Sequence, residues 1–131
     1  MILLDSSAWV EYLRATGSPI HERVRAGLES EEDLATTDPV AMEILAGARD
    51  DRDRDELRRL LYRCTMLAVE GPSDYEKAAD VYRACRRHGV TPRKLTDCLI
   101  AAVAIRNDVP LLHADSDFLG IAGHTRLRLL L

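Results

Sequence analysis

Five carboxylates in this chain stand where an acidic side chain is hard to explain as solvated surface: Asp5, Glu43, Asp97, Asp115 and Asp117. Asp5 ends the apolar run of "MILLD", and Asp115 follows that of "LLHAD" near the carboxyl end. Short runs of this kind read as buried strands of a parallel sheet. Asp5 also suits the position just before a helix that starts at Ser6, because an aspartate there accepts from free amides. Asp115 and Asp117 suit the turn before Phe118 in the same way. Glu43 and Asp97 have less ordinary surroundings. On a helix, Glu43 shares its face with Pro39, Val40, Ala46 and Gly47, none of them charged. Asp97 is the one ionisable side chain from Leu95 to Ile105 apart from the weakly acidic Cys98. A carboxylate on an apolar stripe needs a partner for its charge.

Carboxylates drawn together from separate segments repel one another. Two such charges ~4 Å apart cost roughly 4 kcal/mol at an effective dielectric near 20. The cluster must take up protons or bind a cation. Oxygen ligands without thiolate or imidazole suit Mg²⁺ or Mn²⁺ rather than zinc. His113 lies beside the set, and its offset of two residues from Asp115 points it away along the strand. Magnesium held by acids binds phosphate oxygens and acidifies water, so phosphodiester hydrolysis is the reaction class that fits.

The elements that must position these acids alternate along the chain. "ILL" is a strand, and from Ser6 the period becomes helical, with Ala8, Trp9, Tyr12 and Leu13 on one face. "TGSP" breaks that helix and Pro19 opens the next. "LATT" is a strand, Asp38 and Pro39 start a helix, and "DDRDRDELRRLLYRC" is an amphipathic one. "TMLAV" is a strand and "PSDYEKAADVYRACRRHG" a long helix that ends in basic residues and glycine. "RKLTDCLIAAVAIRND" is an apolar helix, "PLLHA" a strand, "DFLGIAG" a short helix and "RLRLLL" a final strand. The alternation predicts an α/β fold, with a parallel sheet of about five strands and helices on both faces. Functional clefts in such folds lie at the carboxyl ends of the strands, where Asp5 and Asp115 stand.

Composition bounds the rest. The 131 residues, 47% hydrophobic and 31% charged, make one domain over residues 1–131 with a single core. No apolar run approaches the ~20 residues of a membrane span, and "MILLDSSAWV" has no basic leader, so no membrane role is expected. The three cysteines show no C-x-x-C spacing, which points to a reducing cytoplasm rather than to a disulfide scaffold or thiolate zinc site. Aromatic residues, at 5%, are too few for base-stacking platforms. The net charge of −4 does not exclude a nucleic-acid partner, because setting the five acids aside leaves the remaining surface at +1.

Taken together, "LLDSSAWVEYL", "MEILAGAR", "TDCLIAAVAI" and "LLHADSDF" resemble, in order and spacing, the motifs of PIN-domain ribonucleases. In particular they resemble the VapC-type toxins of bacterial toxin–antitoxin systems, and the likeness covers essentially the whole chain. The resemblance implies a metal-dependent endoribonuclease that uses Mg²⁺ or Mn²⁺. It implies that Asp5, Glu43, Asp97 and Asp115 form the acidic site, with Asp117 as an auxiliary acid. It further implies a homodimer and a VapB-like antitoxin that blocks the cleft. A small hydroxyl residue usually follows the first aspartate of the family; here Ser6 and Ser7 do. Where a threonine or serine commonly precedes the last aspartate by two residues, this chain has His113.

For RNA contact the candidates are Ser6, Arg93 and Lys94, the basic pair because it precedes Asp97 at the expected cleft mouth. The arginines from Arg49 to Arg63 are interleaved with aspartates and read mainly as a salt-bridged face. Two rival readings remain at this point. One is phosphoryl transfer through an aspartyl intermediate, although no lysine is obviously placed for it. The other is a binding module without chemistry, which a complete acidic set disfavours.

Overall fold

Five short parallel strands in the order β3-β2-β1-β4-β5 form the centre of the structure, a computed structural model that describes residues 1–130. In chain order the elements are β1 (Ile2–Leu4), α1 (Ser6–Leu13), α2 (Pro19–Glu29), β2 (Leu34–Thr36), α3 (Asp38–Ala46) and α4 (Asp51–Leu61). There follow β3 (Thr65–Met66), α5 (Ser73–Arg87), α6 (Leu95–Asn107), β4 (Leu111–Leu112), α7 (Asp117–Gly123) and β5 (Leu129–Leu130). The expected parallel sheet and its helical connections are therefore present, each element near its predicted place. The expected final strand ran to Leu131, which lies outside the described residues.

The strand order decides where a site can form. From β1 the chain moves outward to β2 and β3; it then crosses back to β4 and continues outward to β5. With right-handed crossovers, connections running in opposite directions lie on opposite faces of the sheet. The helix contacts agree: α1 meets α2 and α3, and α3 meets α4, whereas α5, α6 and α7 pack on one another. The direction reverses between β1 and β4, and a crevice opens beyond the carboxyl ends of these two strands. Their pairing sets Leu3 beside Leu111 and Leu4 beside Leu112, so Asp5 and His113 leave the sheet side by side.

The core is made of Leu3, Leu4, Leu111 and Leu112 with Trp9, Ile100 and Phe118, each at most 1% exposed. Helix α6 is buried continuously from Asp97 to Ala104, which explains why its sequence is apolar all round rather than striped. Arg106 joins this helix to α5 through a buried ion pair, its Nε 2.9 Å from Asp74 Oδ1, while Asp74 is 1% exposed. The same guanidinium donates to the Ala68 carbonyl at 2.8 Å. Of "TMLAV" only Thr65–Met66 is regular strand at this edge, followed by one further bond from the Leu67 amide to the Thr36 carbonyl at 2.8 Å. At α3, Thr37 rather than Asp38 flanks the helix, and the Asp38 carboxylate accepts from the Val69 amide at 2.7 Å.

Candidate active site

Asp5 leaves β1 directly into α1 and is 3% exposed. Its Oδ2 accepts from the Ser7 amide at 2.9 Å and from the Ser7 hydroxyl. The Ser7 Oγ in turn accepts from the Ala114 amide at 2.9 Å. One hydroxyl thus ties the end of β1 to the turn after β4. The Asp5 amide adds a 3.0 Å bond to the Leu112 carbonyl. Sequence reasoning chose Ser6 of the serine pair as the functional one. Ser6 does line the cleft, but Ser7 makes the cross-strand link, which depends on a residue 107 positions away and leaves no local signal.

Two helices carry the next pair of acids. Asp97 lies in the first turn of α6 and Glu43 on α3, and these helices pack against each other. Asp97 is 5% exposed and Glu43 half-buried. Burial, then the charges of Asp5 and Asp115, push the Asp97 carboxyl up to about 7, with Lys94 opposing. Burial and then the Asp5 charge also raise Glu43, again against Lys94. Asp97 Oδ2 and Glu43 Oε1 are buried atoms without a hydrogen-bond partner. Unsatisfied buried carboxylate oxygens are costly and call for a ligand.

Asp5, Glu43, Asp97 and Asp115 line one cleft of about 330 Å³, together with Ser6 and Lys94. Glu11 lines it as well and went unnoticed in the sequence. Its only signal is that it stands four residues after Ser7 on α1, one helical turn along the same face. A neighbouring groove of about 450 Å³ shares Val10 and Glu43 with the cleft and includes Arg14 and Arg49. A larger cavity, about 500 Å³, lies elsewhere, between α5 and α6 beside the Asp74–Arg106 pair, where Asp74 is already matched by that arginine.

Asp117 and Arg93 occupy different positions from the rest. Neither lines the cleft. Arg93 Nε lies 3.0 Å from Asp117 Oδ2 and its NH2 nitrogen 3.2 Å from Asp115 Oδ1. The arginine beside Asp117 holds that carboxyl below its usual range, although burial alone would raise it. Of the expected RNA contacts, then, Lys94 and Ser6 face the cleft, while the Arg93 guanidinium is engaged with two of the acids. Even so, single oxygens of Asp97, Asp115 and Asp117 all lie within 4.8 Å of one another. His113 is 6% exposed and points inward, its ring centroid 5.4 Å from that of Phe118. Its Nδ1 sits 3.2 Å from the Asp115 amide nitrogen and 2.9 Å from the Asp115 carbonyl oxygen. One tautomer accepts from the amide and the other donates to the carbonyl. In either form the ring braces the turn that presents Asp115.

The donor set is all oxygen, and Asp97 Oδ2 and Glu43 Oε1 lack partners, which fits a hard divalent cation. Asp5, Asp97 and Asp115, with Glu43, are the residues that would hold it. Comparison with known proteins agrees with this chemistry. The PIN domain family description matches residues 2–123. The chain is 49% identical over 129 residues to Ribonuclease VapC11 of Mycobacterium tuberculosis, covering 98% of this chain and 96% of that one. The same identity and coverage hold for the VapC ribonuclease Mb1587 of Mycobacterium bovis. Among solved structures, the VapBC2 complex of Rickettsia felis, bound to a DNA fragment from its promoter, superimposes with a TM-score of 0.77. That likeness covers 99% of this chain and 98% of the other at 16% identity, and so concerns the fold alone.

Proposed function

The chain belongs to the PIN-domain family and, within it, to the VapC ribonucleases, and on that footing we propose that it is the toxin of a toxin–antitoxin pair: an endoribonuclease that hydrolyses RNA phosphodiester bonds with Mg²⁺ or Mn²⁺. The supporting observation is the convergence of Asp5, Glu43, Asp97 and Asp115 on one cleft, with buried oxygens of Glu43 and Asp97 left without partners. A bound divalent cation supplies neutralisation of the phosphate charge and acidifies nearby water. The chain's own groups do the rest. Lys94, exposed at the cleft and absent from the ion pairs found among the described residues, meets a phosphate of the incoming strand. The Ser6 hydroxyl, which lines the same cleft beside Glu43, donates to another phosphate oxygen. Glu43 Oε1, unpartnered beside the cleft, would help to hold the cation and orient the attacking water, whose proton passes to solvent. A P–O bond to water forms as the ester P–O bond breaks, and the departing ester oxygen takes a proton from solvent, leaving a phosphomonoester and a free hydroxyl end.

A phosphotransfer reading loses ground on the family assignment rather than for want of a lysine, since Lys94 does reach the cleft. The natural inhibitor is a VapB-like antitoxin, whose arginine an acidic cleft would attract. Solved neighbours of the same fold include VapBC structures and a toxin–antitoxin complex from Klebsiella pneumoniae. The acting form is a homodimer in the cytoplasm. The three free cysteines suit a reducing compartment. Among the described residues no helix is long and apolar enough to cross a membrane.

The test is to incubate purified protein with total RNA and sequence the new ends. Cleavage is expected with Mg²⁺ or Mn²⁺ and absent with EDTA or in Asp97→Asn. RNA left intact by the folded, metal-supplied parent, or cut equally by Asp97→Asn, would overturn the proposal.

A further inference from the structure

The acidic centre has two sides that share Asp97 and Asp115. On one side stand Asp5 and Glu43; on the other stands Asp117. Oxygens of Asp97, Asp115 and Asp117 within 4.8 Å of one another have nearly the spacing of ligands around one small cation. Asp97, 5% exposed, keeps an unpartnered Oδ2 between the two sides. Centres that hold two cations place them ~4 Å apart, bridged by a shared carboxylate. The first side is marked by unpartnered oxygens of Glu43 and Asp97 in the cleft and the second by the spacing of Asp97, Asp115 and Asp117, yet the second already has a positive charge seated on it.

That charge is Arg93. Its NH2 nitrogen lies 3.2 Å from Asp115 Oδ1, its Nε 3.0 Å from Asp117 Oδ2, and its backbone amide donates to the same Asp117 oxygen at 3.1 Å. The Asp117 amide closes the ring by donating to Asp115 Oδ1 at 3.0 Å. One oxygen of each acid is thus taken by the fork of the arginine. We propose that the Arg93 guanidinium is a built-in counter-cation that fills the Asp115–Asp117 side and limits the protein to one divalent cation, held on the Asp5 side. This rests on the metal-dependent reading above and adds to it the number of ions and the residue that sets that number. A guanidinium does not deprotonate in the accessible pH range, so the occupancy is permanent rather than switched. The Arg93 side chain is 69% exposed, so its replacement removes charge and leaves the core untouched.

The experiment is calorimetric titration of metal-stripped protein with Mn²⁺, a readout independent of RNA cleavage. The parent is expected to bind one Mn²⁺ per chain. Arg93→Gln should bind two, and Arg93→Lys, which keeps a charge, one. Adding Asp117→Asn to Arg93→Gln should return the count to one, and Asp117→Asn alone should leave it at one. Two ions in the parent, one ion at unchanged affinity in Arg93→Gln, or none in Asp117→Asn would overturn the proposal while sparing the metal reading. A folded parent that binds no Mn²⁺ would overturn both.

Discussion

Replacing Asp97 by asparagine isolates the cost of a buried charge in the metal-free protein. The carboxyl is pushed from 3.8 up to about 7, chiefly by burial and then by Asp5 and Asp115. At ~1.4 kcal/mol for each tenfold change in proton affinity, that rise corresponds to about 4 kcal/mol. The sign follows from linkage. The folded protein binds this proton more tightly than the unfolded chain does. The penalty is therefore absent below pH ~4, grows as the pH rises to ~7, and is complete above that. The substituted amide keeps the shape of the carboxyl and never ionises, so Asp97→Asn should be the more stable protein at pH 8 in EDTA. Roughly 2.5 kcal/mol of its advantage should develop between pH 5 and pH 8; water entering the open cleft reduces this, and a gain of ~2 kcal/mol would satisfy the argument. Urea unfolding of parent and variant at the two pH values measures it. Adding Mn²⁺ should narrow the gap, because a cation at a hundred times its dissociation constant adds about 2.7 kcal/mol to the parent alone. A variant no more stable than the parent at pH 8, or a gain that ignores pH, would refute the reasoning.

Other changes test the frame around the site. Ser7→Ala removes the hydroxyl shared by Asp5 and the Ala114 amide and should cost about 1–2 kcal/mol in urea unfolding, with weaker Mn²⁺ binding. Ser6→Ala, in contrast, should leave stability within ~0.5 kcal/mol. Arg106→Ala takes its charged partner from Asp74 and should cost about 2–3 kcal/mol by the same measurement, water from the adjoining cavity limiting the loss. The bond from Arg106 holds the Asp74 carboxyl low against its burial, so the parent loses this contribution as pH falls through the folded pKa. The alanine variant should lack that acid-side loss.

Much of this protein follows from local pattern. A strand of leucine and isoleucine that runs into aspartate, and a helix apolar on every side except at Asp97, announce themselves within a few residues, because burial acts on each element through its own periodicity. The alternation of strand and helix is likewise local and implies a parallel sheet. The acids at strand ends and on apolar stripes could therefore be named before any distance was known. Strand lengths were less legible: β3 is regular only over Thr65–Met66, and Ala68 beyond it bonds to Arg106, far along the chain on α6.

What tertiary structure alone decided is which acids share an oxygen's reach. The strand order puts the turn after β4 beside β1, and only then does the Ser7 hydroxyl meet Ala114. Arg93 reads in sequence as a basic residue at the cleft mouth, yet in space it is clasped by Asp115 and Asp117. Glu11 joins the cleft from a helix face that its neighbours in sequence do not distinguish. Residue type and spacing determine which groups want a partner; which partner they find depends on how distant segments approach, a property of the packed chain that no short window of sequence contains.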